Sequence, residues 1–333
     1  MNSFGGKLAV VTGGGSGIGQ ELVRQLATHG CSVAACDWNA RAIEDTAAIV
    51  QSDAADDVLV SGHACDVSDE LQVQRFRDEL LQCHAADHVD LVFSNAGIGG
   101  GGSFVTGSRE EWERTFAVDW WGVYYCARAF LPLLMASGDG VLVNTSSVNG
   151  FWASLGPGMP NTAYATAKFA VKGFTEALIE DLRTHAPQVR VVVVMPGHVG
   201  TDITANTRRA HGRPEPSDMT EAQLRELIPT DAQARLIRAG ALTEDASADE
   251  IRNLLARTEG DFRDKAPVSA AAAAATILDG VRAGAWRILV GADANALDAA
   301  VRAKPEAAYD YPVLAKLAGR TPSTDGPEAD RAR

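Results

Sequence analysis

"KLAVVTGGGSGIG", residues 7–19, joins a short apolar run to a glycine-rich turn. The run from Leu8 to Val11 has the β-branched character of a buried strand, and an amphipathic helix pattern follows the turn to about His29. Glycines at such a turn let backbone N–H groups approach a pyrophosphate at the helix N-terminus. The stretch therefore predicts a dinucleotide-binding loop, whose residues are Gly13, Ser16, Gly17, Ile18 and Gly19.

An acidic residue, Asp37, closes the next apolar run "CSVAACD". Its carboxylate can accept hydrogen bonds from the adenosine ribose hydroxyls, whereas a 2′-phosphate there would meet a like charge and cost ~1 to 4 kcal/mol at about 4 Å. Arg41 is the one nearby cation in the sequence. The pattern predicts NAD rather than NADP as cofactor; the alternative role of Asp37 is to cap a helix that begins near Asn39.

Apolar runs and amphipathic stretches alternate along most of the chain, which predicts an α/β fold with a doubly wound parallel sheet. A long helix is expected near 109–136, a capped helix at the alanine run after Ser269, and a last strand in "WRILVG". Residues 198–265 are rich in proline and charged residues and break this alternation. We interpret them as an excursion from the main sheet that does not form a new hydrophobic core. The length of 333 residues allows either one domain with insertions or two domains. The polar, proline-bearing residues 319–333 are expected to form a flexible tail.

The stretch "TAYATAK", residues 162–168, places Tyr164 and Lys168 four positions apart, on one face of a helix. A free tyrosine ionises near pH ~10, and a neighbouring ammonium lowers that pKa. Such a pair could exchange a proton with an alcohol. The alternative is a surface tyrosine beside a surface lysine.

Charge and composition exclude several classes of function. The 333 residues carry a formal net charge of −13, with a pI near 5.0, which argues against nucleic acid as a partner. No run approaches the ~18 to 20 apolar residues of a membrane span, so we expect a cytoplasmic protein without membrane contact. The five cysteines are expected to be reduced and buried, and no spacing of His, Cys, Asp or Glu predicts a metal site.

Five motifs occur in the order typical of one enzyme family: "TGGGSGIG", "CDV" at 65–67, "NAG" at 95–97, "TSSVNG" with "YATAK", and "PGHVGT" at 196–201. On these motifs the chain resembles the short-chain dehydrogenase/reductase family, in its single-domain branch. The resemblance implies that Tyr164 is the acid/base, that Lys168 lowers its pKa and binds the nicotinamide ribose, and that Ser147 hydrogen-bonds the substrate oxygen. It also implies one Rossmann-like domain over 1–318, in which 198–265 form a substrate lid. Further cofactor contacts are implied at Asp66, Val67, Asn95, Ala96, Gly97, Pro196, Gly197, Val199 and Thr201.

The sequence departs from the family pattern in two places. Asp119 stands in "VDWWG" where the family has an asparagine that supports a proton relay to the lysine, so we expect an altered relay. The segment between Ser147 and Tyr164 is longer than is common in the family, which indicates a reshaped substrate mouth. Residues expected to line that mouth are Asn149, Phe151, Trp152, Leu155, Met159 and His198. The alternative for the aromatic residues, Leu155 and Met159 is that they pack under the lid or at a subunit contact.

Taken with this resemblance, the motifs predict an NAD-dependent oxidoreductase that interconverts a secondary alcohol and a ketone, on a hydrophobic or aromatic substrate. A homodimer or homotetramer is implied by the family, with Trp120 and Trp121 on the helix that helps form the subunit contact. Two alternatives stay open from the sequence. One is a non-catalytic protein that senses the NAD redox state, and the other is an epimerase or dehydratase of the same superfamily.

Overall fold

A seven-stranded sheet forms the centre of the computed structural model, which describes residues 3–226, 242–243 and 245–317. The described strands are β1 (Leu8–Thr12), β2 (Ser32–Asp37), β3 (Val60–Ala64), β4 (Leu91–Ser94), β5 (Gly140–Thr145), β6 (Val189–Pro196), β7 (Val199–Gly200), β8 (Val268–Ser269) and β9 (Arg287–Val290). The large sheet has the order β3-β2-β1-β4-β5-β6-β9 with every pairing parallel. The predicted doubly wound parallel sheet is confirmed.

Helices connect the strands and cover both faces of this sheet. The described α-helices are α1 (Gly17–Thr28), α2 (Ala40–Asp53), α3 (Glu70–Cys83), α4 (Arg109–Phe116), α5 (Gly122–Ala136), α6 (Thr162–His185), α7 (Ile203–Ala210), α8 (Glu221–Glu226), α9 (Ala248–Asp264), α10 (Ala270–Arg282), α11 (Ala292–Ala303) and α12 (Tyr311–Leu317). A π-helical segment, Ala117–Trp121, joins α4 to α5, so the helix expected near 109–136 is continuous but widens in its middle.

Strand β1 shows how the sheet is buried. Successive side chains of a strand point to opposite faces, and here Ala9 packs in one apolar cluster with Leu22 of α1. Val10 packs in a second cluster with Phe76 of α3 and Phe130 of α5. Because both faces are covered, the central strands are largely apolar, and the ends of the strands are available for chemistry.

Regular secondary structure and a small apolar cluster occur in the described residues that follow β6. The small pair β7 and β8 is parallel, and helix α9 begins with a capping box formed by Ser247 and Glu250. A third apolar cluster, which includes Met219, Leu224 and Ile251, lies apart from the two that cover the sheet. The described part of 198–265 therefore has a small apolar cluster of its own, and its role as a substrate lid stays a prediction. Residues 227–241 and 244, and the predicted tail 319–333, lie outside the described residues.

Two expectations from composition concern the burial of the cysteines and the presence of membrane-spanning segments. Four cysteines are buried as free thiols, but Cys83 is exposed at the end of α3, so the expectation of burial is wrong there. Within the described ranges, none of the helices has the length and apolar character needed to cross a membrane.

Candidate active site

A cavity of about 2700 Å³ runs along the carboxyl ends of the sheet strands. It exceeds the roughly 300–1,000 Å³ typical of a site for one small molecule, so it has room for two ligands side by side. One end is lined by the glycine-rich turn after β1, and the other by residues that follow β5 and β6. The predicted nucleotide and catalytic motifs thus open into one continuous space.

The glycine-rich turn has the backbone geometry that its sequence requires. Gly13 and Gly17 have φ angles of 69° and 54°, in the left-handed region that favours glycine. A Cβ on Gly13 would lie 2.9 Å from the Cα of Ala96, so the loops after β1 and β4 can approach only without it. Ser16 and Ile18 also line the cavity.

Asp37 lies at the end of β2 and points at this turn. Its carboxylate accepts hydrogen bonds from the backbone N–H groups of Gly15 (3.1 Å) and Asn39 (2.9 Å). Burial raises the pKa of Asp37, and these N–H donors offset part of the rise. The cap of α2 is Asn39, whose side chain accepts from Ala42 N, so Asp37 does not have the alternative capping role.

Asp66 and Val67, after β3, line the cavity beside an arginine that the sequence did not single out. Arg114 of α4 pairs with the Asp66 carboxylate at 2.8 Å and donates to Ser68 Oγ at 2.6 Å. Burial raises the pKa of Asp66, but the hydrogen bonds from Ser68 and the Arg114 charge outweigh it and leave the pKa below its ordinary value.

The loop after β4 is fixed by Thr12, the first residue of the "TGGGSGIG" motif, for which the sequence predicted no such contact. Its hydroxyl accepts from the backbone N–H groups of Asn95 (2.9 Å) and Ala96 (3.0 Å). The Asn95 amide in turn donates to the Thr12 carbonyl at 3.2 Å. Asn95, Ala96 and Gly97 line the cavity between its two ends.

Tyr164 and Lys168 share one face of α6, and both line the cavity with Ser147. The Lys168 ammonium is 5.4 Å from the centre of the Tyr164 ring and donates to the Thr145 carbonyl at 3.2 Å. The neighbouring Ser146 has a different role, since its hydroxyl is buried and donates to the Lys168 carbonyl at 2.7 Å.

Asp119 makes a buried ion pair with the lysine. Its Oδ1 lies 3.2 Å from Lys168 Nζ and accepts from Ile98 N at 3.1 Å, while Oδ2 is buried without a hydrogen-bond partner among the described residues. A Cβ on Gly97 would lie 2.6 Å from Asp119 Oδ1, so only glycine leaves room for the pair. Burial raises the pKa of Asp119 to about 6, although the Lys168 charge acts to lower it.

The phenol of Tyr164 is harder to ionise than the sequence predicts. Withdrawal from water raises its pKa, and the Asp119 charge raises it further. The Lys168 charge and the Ser147 hydroxyl lower it, as expected, but they do not prevail, so the pKa of Tyr164 lies above its ordinary value. Burial lowers the pKa of Lys168, but Asp119 and Tyr164 outweigh burial and leave it raised.

The "PGHVGT" motif closes the cavity after β6, and all its predicted residues line it: Pro196, Gly197, His198, Val199 and Thr201. Its backbone is held from α11, where Asp293 Oδ2 accepts from His198 N at 2.8 Å. The His198 ring lies 2.7 Å from the carbonyl of Phe262 in α9. Asp293 was not identified from the sequence, because nothing near it forms a motif.

The expected substrate mouth needs correction at two residues. Asn149, Trp152 and Leu155 line the cavity, but Phe151 and Met159 are not among its described lining residues. The Phe151 ring packs beside the Arg287 guanidinium at 5.9 Å, and Met159 is 46% exposed. Both lie in irregular backbone, where spacing does not determine which way a side chain points.

Comparison with known proteins agrees with this geometry. Residues 7–212 match the family described as short chain dehydrogenase. The chain belongs to the short-chain dehydrogenase family. A Mycobacterium tuberculosis (strain H37Rv) protein named "Putative oxidoreductase SadH" is 32% identical over 304 residues, 91% of this chain and 92% of that protein.

Two further proteins show how far the likeness extends. The (3R)-3-hydroxyacyl-CoA dehydrogenase of Mus musculus is 34% identical over 202 residues, 59% of this chain and 75% of that enzyme. The crystal structure of a short-chain dehydrogenase/reductase from Burkholderia phymatum in complex with NAD has a TM-score of 0.72 and 27% identity, and the match covers 98% of this chain and 100% of that one.

Proposed function

We propose that this chain is an NAD-dependent oxidoreductase that interconverts a secondary alcohol and a ketone on a hydrophobic or aromatic substrate. The observation that carries the proposal is that Ser147, Tyr164 and Lys168 line the same cavity as the glycine-rich turn and Asp37. Membership of the short-chain dehydrogenase family supports the reaction class.

The residues at the glycine-rich end fit a nicotinamide dinucleotide. The turn brings backbone N–H groups to the start of α1, where a pyrophosphate is favoured. Asp37 offers its carboxylate to ribose hydroxyls and would repel a 2′-phosphate. Arg41 offers little compensation, because its side chain is 91% exposed and lies 3.8 Å from Asp45. These contacts favour NAD over NADP.

The chain's own part in the reaction is to position the substrate oxygen and move one proton. A bound nicotinamide supplies the carbon that accepts or donates the hydride. Ser147 holds the substrate oxygen by a hydrogen bond, and Tyr164 accepts its proton during oxidation or donates one during reduction. Lys168 stabilises the phenolate, and Asp119 limits that stabilisation by neutralising the ammonium.

Turnover of apolar secondary alcohols tests the proposal. The purified protein is assayed with NAD and separately with NADP against a panel that runs from secondary alkanols to aryl carbinols and steroids. We expect reduced cofactor with at least one apolar alcohol, and a higher kcat/KM with NAD. Turnover that is faster with NADP would reject the role given to Asp37, and no turnover with either cofactor would reject the proposed reaction.

We also propose that the chain forms a homodimer or homotetramer through an aromatic face on the π-helical segment, α5 and α6. Trp121 is 41% exposed and stacks on Tyr125 at 5.9 Å, and Phe169 of α6 is equally exposed at 41%. Trp120 is half-buried and lies edge-on to Phe174 at 5.5 Å. Exposed aromatic side chains at one face are typical of a surface that a partner covers.

Sedimentation velocity tests this assembly. The wild-type chain should sediment as a dimer or tetramer, and Trp121→Glu should shift it toward the monomer, because the contact would bury an unpaired carboxylate. Exposed Trp286, on a different part of the chain, provides the control as Trp286→Glu and should leave the assembly unchanged. A wild-type protein that sediments as a monomer would refute the assembly.

A further inference from the structure

The C-terminal segment, residues 305–317, forms a wall of the cavity that no sequence motif indicates. Four of its residues line the cavity: Tyr311, Pro312, Leu314 and Ala315. Leu314, Ala307 and Ala308 are buried, so the segment packs firmly against the rest of the chain. A short helix far from the family motifs thus contributes directly to the space beside the proposed catalytic residues.

Hydrogen bonds hold this segment to the loop after Ser147. Trp152 Nε1 donates to the Ala308 carbonyl at 2.7 Å, across 156 positions of sequence. The hydroxyls of Ser154 and Tyr311 lie 2.9 Å apart, and the Trp152 and Tyr311 rings meet nearly edge to face at 6.3 Å. The wall is therefore attached at several points to the segment between Ser147 and Tyr164.

That loop is in turn fixed to the catalytic serine. Asn149 N donates to Ser147 Oγ at 3.1 Å. The Asn149 side-chain amide donates to the carbonyls of Trp152 (2.9 Å) and Ser154 (2.7 Å). A continuous hydrogen-bonded path thus sets the distance between the wall and the proposed reacting oxygen.

The charges around the cavity point to a substrate without a negative group. The described charged side chains that line it are Asp37, Asp66, Arg114, Lys168 and Asp293. Both cations are already paired, Arg114 with Asp66 and Lys168 with Asp119. A carboxylate or phosphate in this cavity would therefore find no unpaired cation among the described lining side chains, and its burial would carry a cost in desolvation.

We propose that residues 305–317 are the specificity-determining wall of the substrate pocket, where Tyr311, Leu314 and Ala315 select uncharged apolar alcohols by the size of one substituent on the carbinol carbon. The proposal rests on the alcohol/ketone reaction proposed above. Ala315 is the most informative position, because its side chain is a single partly buried methyl group on the cavity side of α12.

The test compares Ala315→Phe with the wild type on secondary alkanols of increasing chain length. The added ring should fill the far end of the pocket, so the ratio of kcat/KM for the longest to the shortest alkanol should fall by about ten-fold or more. Ala303→Phe makes the same change at an exposed site of α11 outside the cavity and should leave the ratio unchanged. Ala315→Leu gives a smaller fall and serves if the phenylalanine variant does not fold.

Three outcomes separate this inference from the proposed function. If the wild type turns over the alkanols and both Ala315→Phe and Ala315→Leu lower kcat/KM equally across the series, residues 305–317 do not select substrates by size. The proposed reaction would remain intact in that case. Wild-type kcat/KM for an alkanol bearing a terminal carboxylate that equals that of the neutral alkanol would overturn the charge selection. A wild-type protein that oxidises none of the alcohols would overturn the reaction itself, and the inference with it.

Discussion

Tyr164→Phe is expected to lower kcat by about a thousand-fold while leaving the affinity for the dinucleotide unchanged. Phenylalanine keeps the ring beside Lys168 but removes the hydroxyl that exchanges a proton with the substrate oxygen. Steady-state kinetics give kcat, and a fluorescence titration with NADH gives the dissociation constant. The loss should therefore be confined to the chemical step.

Tyr125→Phe is the matched control for this variant, because it removes a tyrosine hydroxyl from α5 outside the cavity. It should keep kcat within about two-fold of the wild type, as is usual for a substitution away from the reacting groups. If Tyr164→Phe retained a tenth or more of the wild-type kcat, Tyr164 would not be the acid/base.

Asp119→Asn is expected to move the acid limb of the pH–rate profile for alcohol oxidation to lower pH, by about one unit or more. The Asp119 carboxylate lies 3.2 Å from Lys168 Nζ, and its charge raises the pKa of Tyr164. Without that charge the ammonium favours the phenolate, which is the form that accepts a proton. Alcohol oxidation then persists at lower pH. Ketone reduction needs the protonated phenol, so the alkaline limb of its pH–rate profile also moves to lower pH.

The control for Asp119→Asn is a second buried aspartate that pairs with a lysine. Asp90 is 3% exposed and lies 2.8 Å from Lys7 Nζ, at the opposite end of the sheet from the cavity. Asp90→Asn should change the free energy of unfolding but not the pH profile. If Asp119→Asn left both limbs in place, the carboxylate would not act on Tyr164.

Local motifs predicted the parts of the site that depend on local geometry. The glycine-rich turn needs left-handed φ angles at Gly13 and Gly17, and the four-residue spacing of Tyr164 and Lys168 puts them on one helix face. The alternation of apolar runs and helices was sufficient to predict the parallel sheet, because strands covered on both faces are largely apolar.

The remaining parts of the site depend on contacts that spacing does not encode. The C-terminal wall meets the loop at Trp152 from 156 positions away, with no motif at either end. The raised pKa of Tyr164 depends on burial and on Asp119, and the sequence indicated the aspartate but not how completely it is enclosed. The side-chain directions of Phe151 and Met159 follow an irregular loop, where no periodicity applies.

The most direct test of the proposed reaction uses an apolar secondary alcohol that carries deuterium on the carbinol carbon, incubated with NAD and the wild-type protein. Mass spectrometry then follows the isotope. We predict that deuterium appears in the reduced cofactor in step with formation of the ketone, and that Tyr164→Phe yields almost none of either product. Reduced cofactor without deuterium, or no reduction of NAD or NADP by any alcohol of the panel, would contradict the proposed hydride and proton transfer.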